Sequence, residues 1–413
     1  MEQLKEEKLI YDWNIAAPGE RLKYKIEFDD ETLRDGLQSP SVTDPAIDEK
    51  IELLHLMDEL GIDTADVGLP GAGPRAYKDV YELTREIADS KLKITPNIAA
   101  RTIKQDITPA IEISQKTGIP IEVSSFIGSS PIRQYVEEWT LDEMVRKTEE
   151  AVTYVVQNGL PCMFVTEDTT RAHPEAIRKL YTTAIECGAK RICVCDTVGH
   201  ATPEGVTALI SFVKDVVKDT GENVKIDWHG HRDRGLCIQN SIAAIRAGVN
   251  RVHGTALGIG ERVGNTPMDL LLVNLKLMGY IDNDLSKLYK YCELVSKYCK
   301  VPIPVNYPVL GSDAFRTATG VHAAAVIKAQ KKGHNWLADR IYSGVPAGEF
   351  GLQQKIEIGP MSGQSNIIYW LQQHDMHPEK ELVEKIFNYA KQSNTLLTDS
   401  QIFSLINKHK AKQ

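Results

Sequence analysis

An α/β barrel of eight strand–helix units, followed by a mainly helical C-terminal region, is the fold this sequence predicts. Three observations lead there. From Lys23 to about Leu272, short apolar runs alternate with longer stretches of helical periodicity. The short runs number eight. Polar clusters follow the runs rather than precede them. Eight β/α units in about 250 residues is the arithmetic of a (β/α)8 TIM barrel, whose chemistry sits at the C-terminal ends of its strands. A doubly wound sheet is the alternative. It normally carries a Gly-rich turn after the first strand, and the turn here reads Glu-Thr-Leu-Arg-Asp-Gly-Leu-Gln, residues 31–38.

The strands are expected at Tyr24–Phe28, Thr64–Leu69, Lys93–Ala99, Pro120–Phe126, Cys162–Thr166, Arg191–Cys195, Lys225–His229 and Arg251–Thr255. Between them, Asp48–Gly61, Leu141–Gly159 and Pro174–Gly188 show helical spacing and end on glycine. Past Leu272 the pattern changes. Helical stretches run to about Lys300, a Pro-rich loop covers Val301–Leu310, and a further helix is expected from near Ala314. The charged tail Glu379–Lys410 reads as helical. The predicted organisation is an N-terminal extension over 1–22, a catalytic barrel over 23–275 and a helical accessory region over 276–413. The extension is expected to pack on the barrel or on a partner subunit.

Composition narrows the function. The net charge of −8 and the lack of a basic tract speak against a nucleic-acid partner. No run approaches about 18 consecutive apolar residues, and the charged start carries no signal-peptide pattern. Seven cysteines without a CxxC pair suit free thiols in a reducing cytosol. A cytoplasmic enzyme with small-molecule substrates and no membrane contact is the expectation.

The chemistry gathers at the strand ends. Arg34, Asp35 and Gln38 follow the first strand; Glu167, Asp168 and Arg171 the fifth; Asp196 and Thr197 the sixth. His229, His231 and Asp233 follow the seventh, and Glu261 and Asn265 the eighth. His229 and His231 are two apart on a strand, so both imidazoles face one way. Asp35, His229, His231 and Asn265 make a mixed N/O ligand set suited to Mg²⁺, Mn²⁺ or Zn²⁺. Such a cation can polarise a carbonyl and chelate a 2-oxo acid. Arg34 beside Asp35 suits a developing alkoxide or a substrate carboxylate, or a structural pairing with Glu167 or Glu261.

These motifs resemble the 2-isopropylmalate synthase and homocitrate synthase family, the DRE-TIM metallolyases. Residues 30–38 resemble its first signature; His229-Gly230-His231 and Gly258–Asn265 resemble its second; Thr166–Arg171 and Asp196–Gly199 also fit. The resemblance covers roughly residues 23–370. It implies a TIM barrel that condenses acetyl-CoA with a 2-oxo acid on a divalent metal. It implies Asp35, His229 and His231 as ligands, with Asn265 close by or coordinating. Arg34 would meet the 2-oxo group and Thr197 the substrate carboxylate. Gln38 would join the substrate-binding set, and Glu167 and Glu261 the acid–base and orienting shell. Residues 311–316 and 319–322 resemble the segment that sends a histidine into a neighbouring subunit, so His322 becomes the candidate base or part of its relay. Tyr342 resembles the second residue acting in trans, and a homodimer follows.

The sequence departs from the family at Arg232 and Arg234, which suit rim carboxylates or an extra anionic group on the substrate. Related synthases often carry His where Arg133 stands. A basic residue expected near Met163 in homocitrate synthases is absent, although Arg75 or Arg133 can replace it from another loop. The implied order of products is therefore 2-isopropylmalate, then citramalate, then homocitrate. Hydroxymethylglutaryl-CoA lyase-type or aldolase cleavage is the alternative enzyme class; the loop Gly258–Asn265 lacks the Cys expected of that lyase. A non-catalytic metal-binding relative is a third reading. A leucine-binding regulatory domain would need roughly another 100 residues, so none is expected in a sequence of 413.

Overall fold

The computed structural model describes residues 9–16, 22 and 24–411. Of the N-terminal extension, residues 1–8 and 17–21 lie outside the described residues, and Trp13–Ala16 form one short helix, α1. The chain divides into two compact units. The first holds the described residues up to Asp284 together with Lys290–Val301; the second holds Leu285–Tyr289 and the chain from Pro302 onward.

The first unit is a closed barrel of eight parallel strands in sequence order. They are β1 (Glu27–Asp30), β2 (Thr64–Asp66), β3 (Thr95–Arg101), β4 (Glu122–Gly128), β5 (Cys162–Glu167), β6 (Arg191–Asp196), β7 (Lys225–Gly230) and β8 (Arg251–Gly254). The barrel closes where β1 pairs with β8, Glu27 opposite Arg251 and Asp30 opposite Gly254. Helices α2 (Ile47–Glu59), α3 (Pro74–Asp89), α4 (Lys104–Thr117), α5 (Pro131–Glu137), α6 (Leu141–Gln157), α7 (Pro174–Glu186), α8 (Pro203–Thr220), α9 (Cys237–Ala247) and α10 (Met268–Leu277) fill the connections. Amphipathic spacing explains their seating: α6 buries Met144, Thr148, Ala151, Val152 and Val155, all on one stripe. Its start is set by a capping box, in which the Thr140 hydroxyl accepts from the Glu143 N–H and Glu143 accepts from the Thr140 N–H. Gly159 and Gly188 follow α6 and α7 with φ of 77° and 105°, a turn that a Cβ would strain.

All eight strands lie where the alternation puts them, shifted by up to three residues. The three-residue shifts are at β1, which starts at Glu27 rather than Tyr24, and at β2, which ends at Asp66 rather than Leu69. A buried charge network holds the bottom of the barrel. Asp227 sits fully buried between two guanidiniums, with Arg251 Nε at 2.6 Å from Oδ2 and Arg191 Nη1 at 2.6 Å from Oδ1. Arg191 also reaches Glu27 at 2.6 Å, and Arg251 reaches Glu122. These pairs fasten the lower end of β1 to β4, β6, β7 and β8.

Helix α11 (Leu288–Cys299) lies mostly in the first unit, where the Tyr291 hydroxyl donates to Asp30 at 2.8 Å. In the second unit, the helix expected from Ala314 begins instead at Gly320, as α12 (Gly320–Lys331). The intervening backbone is taken by a short parallel pair, β9 (Arg316–Thr317) with β10 (Lys355–Ile356). Helix α13 (Asn335–Arg340) follows α12, and Ala323, Val326, Ile327, Ala338 and Ile356 share a small core. A second core joins α14 (Gln364–Gln373), α15 (Lys380–Gln392) and α16 (Asp399–Lys410). The tail is thus two helices, because Thr398 caps a new start by accepting from the Gln401 N–H. Among the described residues, no helix is long and apolar enough to cross a membrane.

Candidate active site

The C-terminal ends of the strands enclose a cavity of about 150 Å³. Its polar side carries Glu31, Arg34, Asp35, Gln38, Asp66, Glu167, Thr197, His229, His231 and Glu261. Its other wall is largely apolar, from Leu69, Ala99, Phe126, Met163 and Val165. All the barrel residues expected in the site except Asn265 line this one cavity.

Three of them converge on a point. Asp35 Oδ2 lies 3.6 Å from His229 Nε2 and 3.7 Å from His231 Nε2. One donor atom from each falls within 4.8 Å of the others, a spacing that a single cation can bridge. The side chains are buried, so their mutual approach has to be compensated. Burial and the neighbouring His229 pull His231 down to a pKa of about 4, which keeps it neutral as a ligand must be. Asn265 is bridged to His231 through the backbone and donates Nδ2–H to the Ile259 carbonyl at 3.1 Å. Its Oδ1 is buried without a hydrogen-bond partner. The convergent carboxylate and two imidazoles, with an orphaned acceptor on the residue bridged to His231, fit a divalent cation.

Further carboxylates support this set. Glu31 Oε2 lies 2.7 Å from His229 Nδ1, and its Oε1 lies 3.0 Å from His253 Nδ1. His253 Nε2 in turn lies 3.0 Å from Asp227. With a carboxylate at each ring nitrogen, His253 is held as a buried imidazolium, its pKa well above the ordinary value: burial opposes the charge, and the surrounding groups, Glu31 among them, more than offset it. Arg34 is fixed through Nε to Asp66 at 2.6 Å and through Nη2 to Glu31 at 3.2 Å, with Asp35 3.5 Å from Nη1. Its partners are thus Asp66 and Glu31, not Glu167 or Glu261.

The remaining rim residues separate into two groups. Glu167 faces the cavity, and burial pushes its carboxyl up against the pull of Arg133, whose Nη2 is 3.9 Å away, and of Arg34. Thr197 Oγ1 accepts the Asp168 N–H at 2.8 Å, so its own proton remains to be donated. Glu261 is exposed at the rim, 3.5 Å from Arg262. By contrast, Asp168 is clasped by Arg171, and Asp196 accepts the His200 and Ala201 N–H groups, so both shape loops. Arg232 donates to the Val263 carbonyl and Arg234 to the His200 carbonyl; each ties down backbone rather than pairing with a carboxylate. Arg75 pairs with Asp44 at 2.9 Å. His322 and Tyr342 belong to the second unit, where their rings stack at 4.1 Å and both stay exposed.

The HMGL-like family model matches residues 25–296. The chain belongs to the HMGL-like family. Among its relatives, the homocitrate synthase AksA of Methanopyrus kandleri is 30% identical over 91% of this chain and 90% of its own length. The 2-isopropylmalate synthase of Sulfurisphaera tokodaii is 32% identical over 89% of this chain and 90% of its own. A solved structure of an HMG-CoA lyase from Brucella melitensis superposes with a TM-score of 0.54 at 18% identity, covering 67% of this chain and 99% of that one. That likeness shows the shared barrel fold.

Three residues that line this cavity escape a reading of the sequence, Glu31, Asp66 and His253, as does Asp227 beneath them, which His253 contacts. Glu31 stands inside the first motif, three residues before Arg34, where helical or turn spacing already allows contact. His253 lies on β8, and nothing in Arg-Val-His-Gly marks it apart from a packed core histidine.

Proposed function

We propose that this chain condenses acetyl-CoA with a 2-oxo acid that bears a short apolar side chain, releasing CoA and a 2-alkylmalate. The preferred acid is 2-oxoisovalerate, with pyruvate next. The observation that carries this reading is the juxtaposition of Arg34 with the Asp35, His229 and His231 set, opposite an apolar wall in one small cavity. The relatives named as 2-isopropylmalate and citramalate synthases support it.

A divalent cation, Mg²⁺, Mn²⁺ or Zn²⁺, would be held by Asp35, His229 and His231 with Asn265 beside them, and would supply Lewis acidity toward the 2-oxo carbonyl. The chain's own groups do the rest. Thr197 donates its hydroxyl proton to the substrate carboxylate, and Gln38 borders the same space. Arg34, pinned by Asp66 and Glu31, donates to the ketone oxygen as it gains charge. A base takes a proton from the acetyl methyl group; the enolate carbon then bonds to the ketone carbon, and water cleaves the thioester. His322 from a neighbouring subunit, with Tyr342 stacked on it, is assigned that base role or part of its relay. Glu167, raised by burial, and Glu261 at the rim are assigned to proton passage and orientation. The trans role makes a cytosolic homodimer the working form, and leucine biosynthesis is the pathway that a 2-isopropylmalate product implies.

One observation favours a second substrate. Arg133, paired with Glu137 at 3.0 Å, also stands 3.9 Å from the cavity-lining Glu167, and turned inward it would offer a cation for a second carboxylate, as 2-oxoglutarate carries. One experiment separates these. Free CoA is followed with a thiol reagent, with acetyl-CoA, Mg²⁺ or Mn²⁺, and 2-oxoisovalerate, pyruvate, 2-oxoglutarate or oxaloacetate. Chelator-sensitive release with 2-oxoisovalerate or pyruvate is expected. Release with 2-oxoglutarate alone makes the chain a homocitrate synthase. No release with any acid overturns the condensation, and cleavage of a hydroxyacyl-CoA is then assayed.

A further inference from the structure

The condensation uses nitrogen and oxygen donors, yet the deep end of the same cavity is lined with sulfur. Cys193 and Cys195 are two apart on β6, so both side chains turn into the barrel. In register, Cys195 lies opposite His229 and Cys193 opposite Asp227, one layer further in. Both thiols line the cavity, and both residues are buried, at 1% and 3% exposure. Their sulfurs are 3.8 Å apart. Met163 completes the cluster. Its sulfur accepts from Arg251 Nη2 at 3.2 Å, which leaves the two thiols as the available donors.

That spacing has a meaning in coordination chemistry. Two thiolates each about 2.3 Å from a tetrahedral ion lie about 3.8 Å apart. The two sulfurs therefore stand at the bite of a tetrahedral soft cation without any movement of the strand. Soft thiolates select a different class of ion from the carboxylate and imidazole set above them. The cavity leaves room on the open side for exogenous ligands.

We propose that Cys193 and Cys195 form a chelating site for a thiophilic divalent cation at the deep end of the cavity, separate from the Asp35, His229 and His231 set. Binding forms two sulfur–cation bonds and releases the two thiol protons to solvent. The cation keeps its oxidation state, so no oxidant or reductant takes part. An ion so placed occupies space next to Met163 and Val165, on the apolar wall. On the condensation reading, it blocks the side chain of the 2-oxo acid and inhibits in competition with it.

The test uses Cd²⁺ as probe on the full-length protein, reduced, freed of reductant and kept anaerobic, in excess Mg²⁺ to fill the oxygen and nitrogen site. Thiolate-to-cadmium charge transfer absorbs in the ultraviolet, and carboxylate or imidazole ligation does not produce it. The expected result is a band that saturates at one equivalent in the wild type. It is lost in Cys193→Ala and in Cys195→Ala and kept in Cys162→Ala and Cys237→Ala. Circular dichroism checks that each variant is folded. Should one of the two key variants fail to fold, the other decides. No band in the wild type, or a band that survives both key substitutions, overturns the site. A second arm measures CoA release with Cd²⁺ present. This arm rests on the condensation reading, whereas the absorbance does not. A band without competition against the 2-oxo acid keeps the site and rejects its inhibitory role.

Discussion

His229 Nδ1 lies 2.7 Å from Glu31 Oε2, and that contact determines which nitrogen of His229 faces Asp35. A carboxylate at Nδ1 holds the proton there and turns the Nε2 lone pair toward the cavity. Burial penalises the charge on Glu31, but His229 and His253 more than offset this and hold its pKa well below the ordinary value. Glu31 thus stays an acceptor throughout the neutral range. Glu31→Gln keeps the shape and weakens the acceptor. The expected loss is about 10–100-fold in Mn²⁺ affinity, measured by calorimetry. Affinity equal to that of the wild type would falsify the orienting role.

Arg34 is held at two edges, by Asp66 and by Glu31. A lysine cannot reproduce that fork, because its ammonium is a single point on a flexible stem. Arg34→Lys is expected to lower kcat by about 10²–10³, the cost of one donor to a developing oxyanion. KM for the 2-oxo acid should move much less, and Mn²⁺ affinity should stay within a few-fold. A change confined to KM would assign Arg34 to ground-state binding instead.

How far the sequence alone reached follows from these contacts. Strand alternation and glycine-ended helices suffice to place eight strands, because each signal is local. The cluster of Asp35, His229 and His231 was legible for the same reason: His229 and His231 share a strand, and Arg34 adjoins Asp35. Glu31 and His253 were not, because their importance lies in a pairing across 222 positions of sequence. Asp227 was also hidden, since its two arginine partners come from other strands. The segment after Ala314 misled for another reason: a two-residue pairing with Lys355–Ile356 took a backbone whose composition suits a helix.

Asp227 carries a prediction about stability. Burial disfavours its charge, yet Arg251 and Arg191 hold its pKa far below the ordinary carboxylate value. Asp227→Asn leaves Arg251, Arg191 and His253 short of one negative charge. The expected cost is about 3–5 kcal/mol, as for breaking a buried pair, read from urea denaturation. The sign with pH follows from linkage. A carboxyl depressed in the folded state contributes its full stability above the unfolded value, about 3.9. The deficit of the variant should therefore be constant from pH 8 to 5 and shrink only as the pH falls below about 4. A deficit that fades already between pH 7 and 5 would mean that another group dominates the network.

His322 and Tyr342 stack at 4.1 Å on the second unit and stay exposed there. An exposed pair of this kind has little to stabilise within its own unit, which suits a role toward another surface. If His322 serves the cavity of a neighbouring subunit, two inactive variants can repair each other. Asp35→Asn lacks a ligand in its own barrel but carries an intact His322. His322→Asn has the reverse defect. Each alone should lose about 10²-fold or more in rate, the value of a general base. Mixed in equal amounts and allowed to exchange subunits, half the dimers hold one complete site, so activity should return to about a quarter of wild type. Mn²⁺ affinity should fall in Asp35→Asn and stay unchanged in His322→Asn. Recovery without exchange is not expected, so activity should rise only as subunits reassort. A mixture that stays inactive after demonstrated exchange places His322 in the service of its own barrel or outside the reaction, and the activity of His322→Asn alone tells which.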